Sequence, residues 1–188
     1  GLMRAFLIAG LAALAVSACT PVEEQGALSE GCDARATATW NTLADPNASI
    51  EAIATGPDCA RAIATLIIRN GSGSPIYSET HQPSQVMNLA QASTPAAMQT
   101  ALQEWIDPAG NTTIQTSSAL PEWPTNADGP QNGEFPFYPA EGQTRESYNQ
   151  VRDANVPIYC YVQGMESLNC LALQNGALES VGVQIFPG

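Results

Sequence analysis

The sequence contains no lysine and very few positive charges of any kind. Six arginines and one histidine stand against eighteen aspartates and glutamates in 188 residues, which gives a formal net charge of −12. Binding to nucleic-acid backbones and electrostatic attraction to anionic lipid headgroups both require clustered cations. We therefore predict no nucleic-acid partner and no membrane association through surface charge.

The chain is also short of long apolar segments, although its overall hydrophobic content of 44% is typical of a globular protein. A chain of this length can bury enough surface for one core, so we expect a single folded domain. The longest apolar run covers only residues 5–16. That is too short for a confident membrane span but suits the central region of a secretory signal peptide.

The residues around this run point to export with lipidation. Arg4 supplies a positive charge before the run, and Val16-Ser17-Ala18-Cys19 follows it. This segment resembles the lipobox of bacterial lipoproteins. The resemblance implies cleavage before Cys19 and anchoring of that cysteine to the membrane through a diacylglyceryl thioether. The alternative is an ordinary secretory signal in which Cys19 is incidental; the rest of the chain resembles no family.

The lipobox divides the chain into three parts. Residues 1–18 form the signal peptide, 19–30 a polar, acidic tether, and 31–188 one extracytoplasmic domain. The resemblance places the protein in the cell envelope, facing the periplasm. In enterobacterial lipoproteins an aspartate after the lipidated cysteine retains the protein at the inner membrane. Thr20 occupies that position here, so the outer membrane is favoured.

Four cysteines remain in the domain, and in an exported protein an even number predicts disulfides. Near the C-terminus, apolar residues alternate on both sides of 164–166, which places Cys160 opposite Cys170 in a hairpin. Asn175-Gly176 predicts the next turn and therefore a three-stranded meander. Continued without interruption, this register sets Val181 against Cys170 and Val183 against Leu168.

The other predicted disulfide joins Cys32 to Cys59. Matching the apolar faces of the first two strands leaves these cysteines one residue out of register, and Gly56-Pro57 is a suitable place for a bulge that restores it. A metal site is the alternative for the four cysteines. It would need CxxC-type spacing or several histidines, and the sequence has neither, so we predict no metal.

The remaining patterns predict an α+β fold with largely antiparallel sheet. Two further strands, at 62–69 and 76–81, complete an N-terminal four-stranded meander. We expect about three short helices: one starting near Pro83, one after Thr94 and one after Thr144. Residues 107–143 are rich in proline and glycine and form an ordered long loop, with one short strand within 111–118.

No catalytic constellation is recognisable. His81 is the only histidine, and no GxSxG motif is present. If the cysteines are paired, none is a nucleophile. Acidic residues of the long loop are candidates for a carboxylate pair of the glycosidase type, but their spacing does not show whether any two converge: Glu122, Asp128, Glu134 and Glu141. We predict no catalytic residue and no cofactor, and lean against an enzyme.

The C-terminal sheet offers the one candidate binding surface. Its face opposite the cysteines carries Tyr159, Tyr161, Leu171 and Leu173, and Trp123 of the long loop could join them. The loop or the helices could instead cover this face; left open, it would be an apolar patch suited to a partner. The sequence therefore favours a non-catalytic envelope lipoprotein that binds a protein, a glycan or a small ligand. The alternatives are an inhibitor of a periplasmic or host enzyme, such as a protease or lysozyme, and an exported hydrolase using loop carboxylates.

Overall fold

A computed structural model describes residues 31–110 and 114–186. The predicted signal peptide, the predicted tether and the predicted lipidation of Cys19 fall on residues outside the described ones. The described part of the chain is an α+β domain with two four-stranded antiparallel sheets and two disulfides. In it, no helix has the length and apolarity needed to cross a membrane.

The first sheet is the predicted N-terminal meander. Its strands are β1 (Ala34–Trp40), β2 (Ala48–Thr55), β3 (Ile63–Arg69) and β4 (Pro75–His81), in the order β1-β2-β3-β4. The expected matching of apolar faces is confirmed, since Ala36 pairs with Ala52 and Ala38 with Ile50. Ala52 and Ile50 are fully buried, so this alternation builds one side of the core.

The first disulfide joins Cys32 to Cys59 as expected, but no bulge is needed. The amide of Cys32 donates to the Gly56 carbonyl at 2.9 Å, which continues the β1–β2 ladder. A 3-10 turn, Cys59–Arg61, then brings Cys59 back, with the Asp58 side chain accepting from the Arg61 amide. A β-carbon on Gly56 would lie 2.6 Å from the Ala62 Cα, so this return requires glycine.

The second sheet has one more strand than predicted. Its strands are β5 (Phe137–Pro139), β6 (Ile158–Val162), β7 (Ser167–Gln174) and β8 (Ala177–Ile185), in the order β5-β8-β7-β6. The predicted hairpin is confirmed, with Cys160 opposite Cys170 and the two sulfurs bonded. The extra strand β5 comes from the long loop and pairs with β8.

The predicted pairing of β8 is wrong beyond its midpoint. The register shifts by one residue between Cys170 and Leu171, so Gly182, not Val181, lies opposite Cys170, and Val183 pairs with Asn169. β5 docks on β8 at the same place, with Pro139 opposite Gly182. A β-carbon on Gly182 would lie 2.3 Å from Phe137 Cε1 and 2.5 Å from the Tyr138 carbonyl oxygen, so only glycine fits at this crossing.

Two of the three predicted helices are confirmed: α1 (Pro95–Ile106) and α2 (Arg145–Asp153). Thr94 and Thr144 cap them by accepting from the amides of Ala97 and Ser147. The helix expected near Pro83 is instead a single 3-10 turn, Pro83–Gln85, because the backbone is already extended at Val86.

Helix α1 covers the edge strand β1. The carboxamide of Gln99 accepts from the Arg35 amide at 2.9 Å and donates to the Arg35 carbonyl, and Gln103 donates to the Thr37 carbonyl at 3.1 Å. These side chains satisfy backbone groups that would otherwise be open to another strand. One amide side chain can thus pair with both backbone groups of one extended residue.

The long segment 107–143 is ordered where it is described, but the short strand predicted within 111–118 is not found in residues 114–118. Thr116 makes a single bridge to Pro157, and a 3-10 turn, Ser117–Ala119, follows. Trp123 is buried and donates to the Ala127 carbonyl at 2.7 Å. The buried Trp123 and Phe137 therefore pack this segment on the core, as expected for an ordered loop.

Candidate functional site

A cleft of about 900 Å³ opens where one end of the first sheet meets the second sheet. The turn after β1 (41–44) forms one wall and the segment after α1 (107–109) another. Residues 154–157 before β6 and the end of β7 complete the lining. A cavity of this size is in the range of ligand sites.

Two buried aromatic residues, Trp40 and Tyr159, belong to the lining of the cleft. Their ring centroids are 5.6 Å apart in a tilted arrangement, and the Tyr159 hydroxyl donates to the Ile106 carbonyl at 3.0 Å. Only 6% of Trp40 and 2% of Tyr159 is exposed. Burial raises the pKa of the Tyr159 hydroxyl, so this group stays neutral.

The walls combine apolar residues with eight residues that carry neutral polar side chains. Five side-chain carboxamides and three threonine hydroxyls line the cleft: Asn41, Gln115, Asn155, Gln174, Asn175, Thr39, Thr42 and Thr116. The Asn155 side-chain oxygen already accepts a hydrogen bond from the Ser118 hydroxyl at 2.8 Å. Carboxamides both donate and accept, so the walls suit a ligand that also does both.

The lining carries little charge. Asp107 is its one carboxylate, and neither histidine nor arginine is among the described residues that line it. One oxygen of Asp107 accepts from the Ala109 amide at 3.0 Å. The four loop carboxylates considered for a hydrolase, Glu122, Asp128, Glu134 and Glu141, lie outside the lining. The cleft therefore holds no carboxylate pair among the described residues.

An exposed leucine stands at the rim on a braced turn. Leu43 is fully exposed and lines the cleft between Thr42 and Asp45. The Asp45 amide donates to the Thr42 hydroxyl at 2.8 Å, and the Asp45 side chain accepts from the Gly71 amide at 2.7 Å. The 41–44 turn is therefore tied both to itself and to the β3–β4 loop.

The open apolar patch considered from the sequence is not present. Tyr159, Tyr161, Leu171, Leu173 and Trp123 are all buried. Helix α1 and the first sheet cover the tyrosines: the Trp105 ring contacts Tyr161, and its Nε1 donates to the Val162 carbonyl at 2.7 Å. Tyr159 and Leu173 are buried residues that belong to the lining of the cleft. Trp123 lies elsewhere and packs against Tyr148.

A second polar cluster joins the two sheets, and we call it the polar seam: Tyr77, His81, Tyr161, Asn169 and Ser180. The hydroxyls of Tyr77 and Tyr161 are 2.8 Å apart, and His81 Nε2 lies 3.3 Å from the Tyr161 oxygen. Ser180 donates to the Asn169 side-chain oxygen at 2.6 Å, and the Asn169 amide group lies 3.4 Å from both tyrosine oxygens. These groups satisfy one another, which suits a structural role.

His81 lies at the end of the seam beside a smaller cavity of about 330 Å³. Its ring makes edge contacts with Trp105 and Tyr161. Burial lowers the pKa of His81, and Glu79 opposes this shift. The ring is therefore neutral at neutral pH.

The cysteines offer no reactive thiol in the described part of the chain, because Cys32, Cys59, Cys160 and Cys170 are all in disulfides. Nor do residues 31–110 and 114–186 contain a group of three or more His, Cys, Asp or Glu side chains arranged to hold a metal ion.

Sequence reasoning missed the cleft but had one signal for its rim. Leu43 is a large apolar residue inside a polar turn, Asn41 to Asn47, where hydrophobic side chains have no local role.

Comparison of the chain with protein-family models, with curated protein sequences and with solved structures finds no match in any of the three.

Proposed function

We propose that this protein is an exported lipoprotein, anchored through lipid on Cys19, that binds a ligand in the cleft without catalysis. The observation that carries the proposal is the cleft of about 900 Å³, whose lining combines apolar residues, among them the buried Trp40 and Tyr159, with neutral hydrogen-bonding groups. Its described lining includes no histidine, and its one cysteine, Cys160, is in a disulfide. Ligand recognition needs an apolar surface with hydrogen-bonding groups, which the lining has, whereas nucleophilic catalysis needs an activated nucleophile.

The anchor is proposed from the N-terminal sequence. Arg4, the apolar run and Val16-Ser17-Ala18-Cys19 are the features of a lipobox. Two disulfides support an oxidising compartment, because cytosolic thiols are kept reduced. We propose that residues 19–30 tether the domain to the membrane, on the periplasmic side and with the outer membrane favoured.

Mass spectrometry of protein from its native host tests the anchor. We expect a mature N-terminus at Cys19 that carries acyl chains. The wild type and a Ser17→Ala control should both be lipidated and should both be absent from the cytosol. A Cys19→Ala variant should lose the acyl mass and leave the membrane fraction. Wild-type protein that keeps an unmodified Cys19 would contradict the proposal.

A blocked cleft tests the binding function separately. Ala109 is an exposed residue of the lining, so Ala109→Trp should fill part of the cavity with little effect on the core. Ala60→Trp is the matched control, because Ala60 is exposed and lies outside the lining. Blocked peptides and soluble chitotetraose serve as probes. We expect at least one probe to bind the wild type and Ala60→Trp but not Ala109→Trp.

Two results would contradict the binding function: no probe binding the wild type at millimolar concentration, or equal binding to all three proteins. Analysis of the recovered probe distinguishes binding from catalysis. The proposal expects the probe intact; cleavage by the wild type but not by Ala109→Trp would make the cleft an active site.

The braced turn favours a second candidate function, inhibition of an exported or host enzyme. A rigid loop with an exposed apolar residue such as Leu43 can enter the specificity pocket of a hydrolase at low entropic cost. The test measures a chymotrypsin-like protease and a lysozyme acting on soluble substrates. Inhibition by the wild type that is lost in Leu43→Asp and kept in Met165→Asp, a change at another exposed hydrophobic residue, would support an inhibitor; unchanged rates with both enzymes would not.

A further inference from the structure

We infer that the cleft accepts an extended polypeptide segment that carries no net negative charge, with the side-chain carboxamides pairing with its backbone. This inference names the ligand class for the proposed cleft function and rests on that function.

The carboxamides of the cleft walls match the hydrogen-bonding groups of a peptide backbone. A peptide backbone offers one donor and one acceptor at each residue other than proline. A carboxamide can pair with both, and Gln99 does so within this molecule by accepting from the Arg35 amide and donating to its carbonyl. Five residues with such groups line the cleft on four separate segments of the chain, and of these the Asn155 oxygen already accepts from Ser118. Placed around one cavity, they suit an extended chain more than a compact ligand.

The charge of the cleft lining disfavours a ligand with net negative charge. Asp107 is the only charged side chain in the described lining, and the whole chain carries a formal net charge of −12. The described walls hold no cation that could pair with a carboxylate of the ligand. An acidic segment would lose hydration without compensation, whereas a neutral or basic segment would not.

The small exposure of the aromatic residues in the lining favours a peptide over a glycan. Sugar rings bind against the exposed faces of aromatic side chains, but the two aromatic residues of this lining, Trp40 and Tyr159, are only 6% and 2% exposed. The accessible apolar contact is aliphatic, since Leu43 is fully exposed at the rim. An aliphatic contact beside carboxamides fits a peptide with an apolar side chain.

The experiment uses three blocked peptides of equal length, each alternating leucine with polar residues, with net charges of −2, 0 and +2; chitotetraose is the glycan probe. Isothermal titration measures their affinities for the folded, disulfide-bonded domain and for its variants. We expect the neutral and +2 peptides to bind more tightly than the −2 peptide, and chitotetraose to bind not at all.

Variants connect the binding to named groups. Asp107→Asn should weaken the +2 peptide roughly two- to fivefold and leave the neutral peptide unchanged. Asp153→Asn is the control for it, because Asp153 is exposed on α2 outside the lining. Gln174→Ala should weaken both peptides roughly three- to tenfold, whereas Gln91→Ala, exposed and outside the lining, should change neither.

The outcomes separate this inference from the proposed function. Binding of chitotetraose in the cleft with no peptide binding overturns the peptide inference and leaves the cleft function standing. Peptide binding that Ala109→Trp and Gln174→Ala do not change overturns the inference as well, because the peptide then binds elsewhere. Binding of neither class at millimolar concentration overturns both.

Discussion

The hydroxyl oxygens of Tyr77 and Tyr161 lie 2.8 Å apart and join the last strand of the first sheet to the edge strand β6 of the second. Tyr161 is almost fully buried, and burial raises the pKa of both hydroxyls, so both remain neutral hydrogen-bonding groups. Breaking this bond should therefore destabilise the packing of the two sheets.

Tyr161→Phe should lower the free energy of unfolding by about 1 to 3 kcal/mol, because the Tyr77 hydroxyl and the Asn169 amide group lose a partner in a partly dry environment. Urea unfolding measures the change. The double variant Tyr77→Phe/Tyr161→Phe should cost less than the sum of the two single changes. Strictly additive losses would show that the two hydroxyls are not coupled.

His81 should make stability depend on pH in a defined window. Its pKa is lower in the folded protein than the ordinary value of 6.5, so the unfolded chain binds the proton more readily. Stability should be complete above about pH 6.5 and fall as the pH drops from there through the folded pKa. Below the window, carboxylates add their own dependence.

His81 is the only histidine, so a His81→Gln variant should remove the pH dependence of stability just below about pH 6.5. The charged neighbour Glu79 is kept in both proteins. Thermal unfolding at half-unit pH intervals makes the comparison. A slope that persists unchanged in His81→Gln would assign the effect to other groups.

The two disulfides should differ in their contribution to stability. Cys32–Cys59 closes 27 residues and Cys160–Cys170 closes 10. On the chain-entropy relation, the longer loop contributes about 3.5 kcal/mol and the shorter about 2.7 kcal/mol. Paired Cys→Ala variants measured in urea should show the larger loss for Cys32/Cys59, and the reverse order would contradict an origin in loop closure alone.

Gly182→Ala should detach or strain β5. The added carbon would meet Phe137 Cε1 at 2.3 Å and the Tyr138 carbonyl at 2.5 Å. We expect a loss of about 1 to 3 kcal/mol and faster amide exchange in Phe137–Pro139. Gly129→Ala is the control, because a β-carbon there has no neighbour within 4 Å. Equal stability of the two variants would mean that the β5 crossing is looser than described.

The features predicted correctly depend on local chemistry. Thr94 and Thr144 predict helix starts because a capping side chain accepts a hydrogen bond from an amide three residues further along the chain. The Cys160–Cys170 register follows from period-two alternation around a short turn, where a slip would expose an apolar face. Both signals lie inside a single stretch of sequence.

The features missed depend on distant segments. β5 contains only three residues, and the last of them is Pro139. A proline is tolerated there because β5 is an edge strand. The shifted register of β8 lies where β5 packs against Gly182, and neither the shift nor this contact is encoded in the alternation of the β8 sequence. The cleft likewise joins 41–44, 107–109 and 154–157, which come together only in the folded domain. The anchor at Cys19 stays a prediction.

Chemical-shift mapping on the isotopically labelled domain is the most direct test that the cleft is the binding site. The titrant is whichever of the defined peptides or chitotetraose binds most tightly. The account predicts that the amides of Asn41, Leu43, Ala109 and Asn175 shift together with the Trp40 indole, while those of the polar seam stay in place. Shifts centred on Tyr77 and His81, or spread over the surface without the cleft residues, would contradict it.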